Sequence, residues 1–149
     1  MTIYIGADYK GDCLKKQISE YLKNKNYEVI NSFIDEREVN DYTDFAFAVG
    51  EQVRDNKNAM GILICESGHG VCIAANKVKG IRCIRATNVK EALLGREHDG
   101  ANILALGSAF ISDLEDLYAI IDTFINTPYP VLERRLNRIA KLAKYEEEN

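Results

Sequence analysis

Two prolines and ten glycines in 149 residues are too few for a collagen-like, disordered or low-complexity chain. Positive charge is not in excess either: 19 basic against 23 acidic residues give a formal charge of -4. That excludes a nucleic-acid binder working through a general basic field. No apolar run approaches the roughly 18 residues that span a bilayer. The N-terminal MTIYIGADYKGD meets an acid at Asp8, so neither a membrane anchor nor a signal peptide is expected. The four cysteines, at 13, 65, 72 and 83, lack the close spacing of a disulfide scaffold. They read as reduced thiols in a cytoplasmic protein. What the chain does have is 46% apolar content, enough for one domain over 1–149 with one sizeable core.

Short apolar runs alternate with amphipathic stretches. The runs Thr2–Ala7, Glu28–Ile34, Met60–Cys65, Ile81–Ala86 and Asn102–Leu106 have strand length and are rich in Ile, Val and Leu. Their near-continuous apolarity suits strands covered on both faces. Between them the period becomes helical. Leu14, Ile18, Tyr21 and Leu22 form one stripe; Tyr42, Phe45, Ala46, Val49 and Val53 form a second. Leu114, Leu117, Ile121, Phe124 and Ile125 form a third, and shorter helices fit Val71–Lys77 and Val89–Arg96. Strand and helix alternating five times predict an α/β fold: a parallel sheet with helices on both sides. After Thr127-Pro128-Tyr129-Pro130 no strand follows, and Val131–Lys144 reads as an additional helix. Such a helix docks on its own sheet or on a partner subunit; the partner, for a segment of about 131–145, is the expectation.

In a parallel sheet, ligands gather outside the carboxyl ends of the strands. Gly6-Ala7-Asp8-Tyr9-Lys10-Gly11 follows the first strand and Cys65-Glu66-Ser67-Gly68-His69-Gly70 the third. A third polar segment, Arg96 to Asn102, leads into the fifth strand instead of out of one. The middle segment is the most informative. Its glycines let successive N–H groups converge into an anion nest, and a helix start adds its positive end. The nest would hold a phosphate or a reaction oxyanion, and a thiol at its edge would be favoured as thiolate. A tight strand–helix turn with a buried cysteine is the plainer alternative. Cys65, His69 and Cys72 have the spacing C-x3-H-x2-C, but no fourth ligand is evident, so no metal is expected. Cys13 and Cys83 fit helix-face or core thiols. His98, between Glu97 and Asp99 in a polar turn, suits proton exchange near neutral pH better than His69. Arg134 and Arg138, four apart on a helix, either clamp a phosphate or form a solvated basic face. A carboxylate such as Asp8 at a strand end often holds a sugar hydroxyl or a metal.

Together these segments resemble the type B ribose-5-phosphate isomerases and the related galactose-6-phosphate isomerases. The resemblance runs over nearly the whole chain. It rests on IGADYKG, NDYTDFA, GILICESGHG with IAANKVKGIRC, REHDGANILALG and ERRLNRI. It implies a three-layer α/β/α sandwich, a Rossmann-like five-stranded parallel sheet with an additional C-terminal helix. It also implies an aldose–ketose isomerisation of a sugar phosphate without metal or organic cofactor, most simply ribose 5-phosphate to ribulose 5-phosphate. By that likeness Cys65 is the base moving a proton between C2 and C1, and the enediolate oxygen lies in the backbone nest of residues 66 to 70, Gly68 and Gly70 included. Ser67 relays protons, His98 opens the sugar ring, Asp8 and Tyr42 contact hydroxyls, and Arg134 and Arg138 hold the phosphate. The likeness further implies a homodimer or higher oligomer with the active site at the interface.

The family usually has His at Tyr9, Gly at Glu66, an apolar residue at His69, Asn at Asp99, Arg at Ala109 and His at Arg135. An inward Glu66 would oppose the enediolate and the phosphate; an outward one would leave only its backbone in play. These departures leave two further readings. One is an isomerase of a different aldose phosphate, six-carbon for instance. The other is a weakly catalytic sugar-phosphate-binding subunit that pairs with a paralogue. A phosphorylation-receiver domain, suggested by the βα repeat and an early Asp, lacks the acidic pair expected at the first strand end.

Overall fold

A computed structural model describes residues 1–32 and 40–149. Five strands form the sheet: β1 (Thr2–Ala7), β2 (Glu28–Asn31), β3 (Ala59–Cys65), β4 (Cys83–Arg85) and β5 (Ile103–Gly107). Six helices accompany them: α1 (Asp12–Asn24), α2 (Tyr42–Asp55), α3 (His69–Ala75), α4 (Val89–Asp99), α5 (Leu114–Asn126) and α6 (Glu133–Glu148). All strand pairs are parallel, in the order β2-β1-β3-β5-β4.

That order dictates where the helices lie. A right-handed crossover moving one way along a sheet covers one face, and one moving back covers the other. The apolar side chains divide accordingly. Ile18 and Leu22 of α1, Ala92 of α4 and Leu117 and Phe124 of α5 share a cluster with Ile62 and Ile64 of β3. Ala46 and Val49 of α2 and Val71 and Ala74 of α3 share the other with Leu63 and Cys65. Alternate residues of β3 thus feed opposite cores, which is why the run reads as continuously apolar. The result is the expected α/β/α sandwich. β1 and β3 are neighbours whose onward connections leave in opposite directions, so a crevice opens at their carboxyl ends.

Helix starts follow the sequence. Asp41 Oδ1 accepts from Thr43 N at 2.8 Å while Asp44 Oδ2 accepts from Asp41 N at 3.0 Å, a reciprocal capping box opening α2. Asn88 caps α4 through Glu91 N at 2.9 Å, and Asp113 caps α5 through Glu115 N at 2.8 Å.

Boundaries depart from expectation in two places that bear on the site. The second run continues in sequence to Ile34, but positions 33 and 34 lie outside the described residues. The fourth run, Ile81–Ala86, yields a strand only over Cys83–Arg85. Ile81 and Ala86 are apolar because they are buried, and Arg82 N bonds the Asn102 side chain at 2.8 Å instead of joining a ladder. Finally, α4 runs to Asp99 before Gly100, at φ +60°, ends it. His98 and Asp99 therefore stand in the last helical turn and not in a loop. Among the described residues no helix is long and apolar enough to cross a membrane.

Candidate active site

Cys65 is the last residue of β3 and its side chain is buried, 6% exposed. The chain then turns sharply so that Gly68 N–H donates to Cys65 Sγ at 3.1 Å. Gly68 makes the turn possible: its φ is +81°, and an added Cβ would stand 3.0 Å from the backbone of Leu106 and Gly107. The loop is therefore pressed against the end of β5. Ala109 N donates to Glu66 O at 2.9 Å, and Arg85 Nε donates to Ser67 O at 2.8 Å, so both loop carbonyls are anchored. His69 N donates to Ser67 Oγ at 3.2 Å as α3 begins. Two N–H groups of the expected nest, those of Gly68 and His69, rest on Cys65 Sγ and Ser67 Oγ.

Neighbouring elements close around this loop. Tyr42, the first residue of α2, lays its ring on Gly70, where an added Cβ would meet Cε2 at 2.7 Å. Asp8, just after β1, uses Oδ1 to accept from Lys10 N at 3.1 Å and Gly11 N at 3.2 Å, so its carboxylate shapes its own turn. Lys10 Nζ then reaches Glu66 Oε2 at 2.7 Å across the β1–β3 crevice. The Glu66 carboxylate is thus an exposed, paired group. The hydrogen bond to Glu66 and its charge raise the Lys10 pKa. Tyr9 is 83% exposed and His69 is exposed.

The structure therefore brings together Asp8, Tyr42, Cys65, Glu66, Ser67, Gly68, His69 and Gly70, with Tyr9 at the rim. It does not bring His98, Asp99, Arg134 and Arg138 to them within one chain. His98 and Asp99 end the helix that leads into β5, hence at the amino edge of the sheet. At about 3.3 Å per residue, a five-residue strand separates the two edges by about 17 Å. Arg134 and Arg138 are exposed on α6. Arg135 Nη1 meets Glu97 O at 3.2 Å and Glu97 Oε1 at 3.6 Å, fixing the start of α6 beside the end of α4. His98 and the arginines thus form a second group on adjoining elements.

The cysteines separate as well. Cys72 Sγ donates to Cys83 O at 3.4 Å, turned towards β4, while Cys13 is exposed on α1. A hydrogen bond from the Cys83 thiol lowers the Cys72 pKa, and that bond together with burial raises Cys83. Among the described residues no three His, Cys, Asp or Glu side chains converge as metal ligands. Two site residues escaped the sequence reading. Lys10 lies within the segment after the first strand and Arg85 within the fourth apolar run, and neither is singled out by its residue pattern. An arginine interrupting such a run at a strand's carboxyl end was the available signal.

Comparison with known proteins adds four likenesses. Residues 3–142 match the family model described as Ribose/Galactose Isomerase. A probable ribose-5-phosphate isomerase B of Mycoplasma genitalium is 43% identical over 151 residues, covering 99% of this chain and 97% of that protein. Among solved structures, the ribose-5-phosphate isomerase B of Clostridium thermocellum superposes with a TM-score of 0.90 at 40% identity, covering 99% of both chains. The Mycoplasma genitalium enzyme with bound ribulose-5-phosphate gives the same TM-score at 41% identity, covering 99% and 97%.

Proposed function

The chain belongs to the ribose/galactose isomerase family, and on that premise we propose that it interconverts ribose 5-phosphate and ribulose 5-phosphate, with Cys65 as the base. The observation that carries the substrate is the likeness over 99% of the chain to a protein solved with ribulose-5-phosphate bound. The geometry supports the roles. Cys65 Sγ, as thiolate, takes the proton from C2 of the open-chain aldose. The C–H electrons form the C1=C2 bond and the carbonyl electrons move to O1. Ser67, on the same loop, passes a proton from O2 to O1. Collapse of the C2 oxyanion to a carbonyl returns the proton from Sγ to C1, giving the ketose. Charge on the oxygens develops beside a loop backbone already ordered by Gly68 and α3, so little reorganisation is needed at the moment of reaction. Asp8 and Tyr42 flank the loop where sugar hydroxyls would lie.

His98 for ring opening and Arg134 with Arg138 for the phosphate come, in this reading, from a second copy of the chain. Two observations support that. One chain leaves them about a strand length from Cys65. Beside them Val131 is 82% exposed just before α6, and the N-cap Leu132 and Leu136 of its first turn are exposed as well, an apolar strip at the start of a solvated helix. α6 also docks on its own chain, with Ile139 near Gly100 and Glu146 Oε2 accepting from Gly80 N at 2.7 Å, so in this reading the exposed apolar strip at its start is what meets the second copy.

The test is an isomerase assay with ribose 5-phosphate and a panel of aldose phosphates, with Cys65→Ala as control and circular dichroism to verify its fold. Turnover of ribose 5-phosphate by the native protein and its loss, by at least about a thousandfold, in the folded variant are expected. Turnover of a six-carbon phosphate alone would reassign the substrate. A silent protein activated by a paralogous chain would make it a partner subunit, and an active Cys65→Ala would dismiss the base.

A further inference from the structure

Arg85 has no part in the mechanism above, yet it ends one strand removed from the reacting thiol and bonds directly to the loop that holds it. Its Nε donates to Ser67 O at 2.8 Å. The other side of the same peptide unit is Gly68 N–H, which donates to Cys65 Sγ at 3.1 Å. In a trans peptide the C=O and N–H point in opposite directions, so one rigid plane lies between guanidinium and sulfur. The chain of partners runs from Arg85 through the Ser67–Gly68 peptide to Cys65.

We infer that Arg85 is a positioning residue for Cys65, acting through the Ser67–Gly68 peptide. Three features argue for it. A charged donor on the carbonyl polarises the amide and strengthens donation by its N–H. The plane has little freedom to turn by other means: the Ser67 carbonyl backs directly onto Gly107, and Gly68 is held at φ +81° against Leu106 and Gly107. The guanidinium is itself fixed, 4.8 Å from the centre of the Phe110 ring and on a strand paired through Arg85 with Ala105 of β5. Without Arg85 the Ser67 carbonyl would lose its charged donor, and Gly68 N–H, in a plane still packed against Gly107, would donate less strongly to the sulfur.

The role as base for Cys65 is taken from the proposed function, so the test reads the thiol with and without substrate. Arg85→Met keeps a long apolar stem against Phe110, and Arg85→Lys keeps the charge. In Arg85→Met, kcat with ribose 5-phosphate is expected to fall about tenfold or more with KM within about twofold. Alkylation of Cys65 by iodoacetamide, followed by peptide mass spectrometry, should slow in parallel, because an N–H donor favours the reactive thiolate. Arg85→Lys should recover most of both. Should Arg85→Met fail to fold, Arg85→Gln, a donor without charge, is read in the same assays and is expected to fall between native and the loss just described. Native kcat and native alkylation in the folded Met or Gln variant would overturn the inference. So would a rise in KM alone, which would place Arg85 on the substrate, or a loss that Arg85→Lys does not relieve. If the native protein turns over no aldose phosphate while alkylation still depends on Arg85, the positioning role stands and the base assignment falls.

Discussion

Lys10 and Glu66 stand on turns that follow neighbouring strands, and their 2.7 Å pair spans the crevice in which Cys65 ends β3. The pair neutralises a carboxylate that would otherwise repel an anionic sugar phosphate at the rim. Both side chains are largely solvated, so its worth is modest and sensitive to salt. Lys10→Met is expected to raise KM for ribose 5-phosphate a few-fold at low ionic strength, with kcat nearly unchanged. Lys10→Met with Glu66→Gln should return KM to near its native value. Michaelis kinetics at two salt concentrations check this; an unchanged KM in the single variant would mean that Glu66 does not face the substrate path. The raised Lys10 pKa means that the cation is held up to strongly alkaline pH, so no change in this pair is expected near neutrality.

Between elements, the clearest polar tie joins α1 to α5. Tyr21 OH donates to Asp122 Oδ2 at 2.6 Å, Lys25 Nζ lies 3.0 Å from the same oxygen, and the Tyr21 ring stacks on Tyr118 at 3.9 Å. Burial first, and the hydrogen bond to Asp122 second, raise the Tyr21 phenol above its ordinary value. The sign follows from linkage: a phenol that is harder to ionise in the fold adds stability below the unfolded pKa of about 10 and loses it as pH rises through the folded value. Urea midpoints should fall between pH 8 and pH 11, and less steeply in Tyr21→Phe. Equal slopes in the two proteins would place the alkaline transition elsewhere. This tie holds the side of the sheet opposite α2 and α3, so Cys65 alkylation at pH 8 should be unaffected by it.

For the whole molecule, the separation of Cys65 from His98 sets the sharpest expectation. If each active site takes Cys65 from one copy and His98 from another, two inactive variants can complement each other. Cys65→Ala mixed with His98→Ala, dissociated and reassociated in equal amounts, should regain about a quarter of native activity in a two-fold dimer. Half of the dimers would be mixed, and each of these would hold one intact site of two. Recovery is read by the isomerase assay after gel filtration. No recovery from a mixture shown to exchange subunits would mean that both residues serve from one chain.

Fold class and the loop at the third strand were legible because both are written in local patterns. Runs such as Thr2–Ala7 need burial on both faces, and the glycines at 68 and 70 mark where backbone must turn and approach Tyr42. The sequence also placed Cys65 at a strand end, since strand length and the following glycines bracket it. It misplaced His98 in a loop, because a polar run at a helix end resembles a turn until Gly100 is seen to stop the helix. Tertiary structure alone decided that Glu66 pairs with Lys10, 56 positions away, and that Arg85 reaches Ser67, 18 positions away. Such contacts depend on strand order and on which way each strand runs, and no local periodicity encodes either.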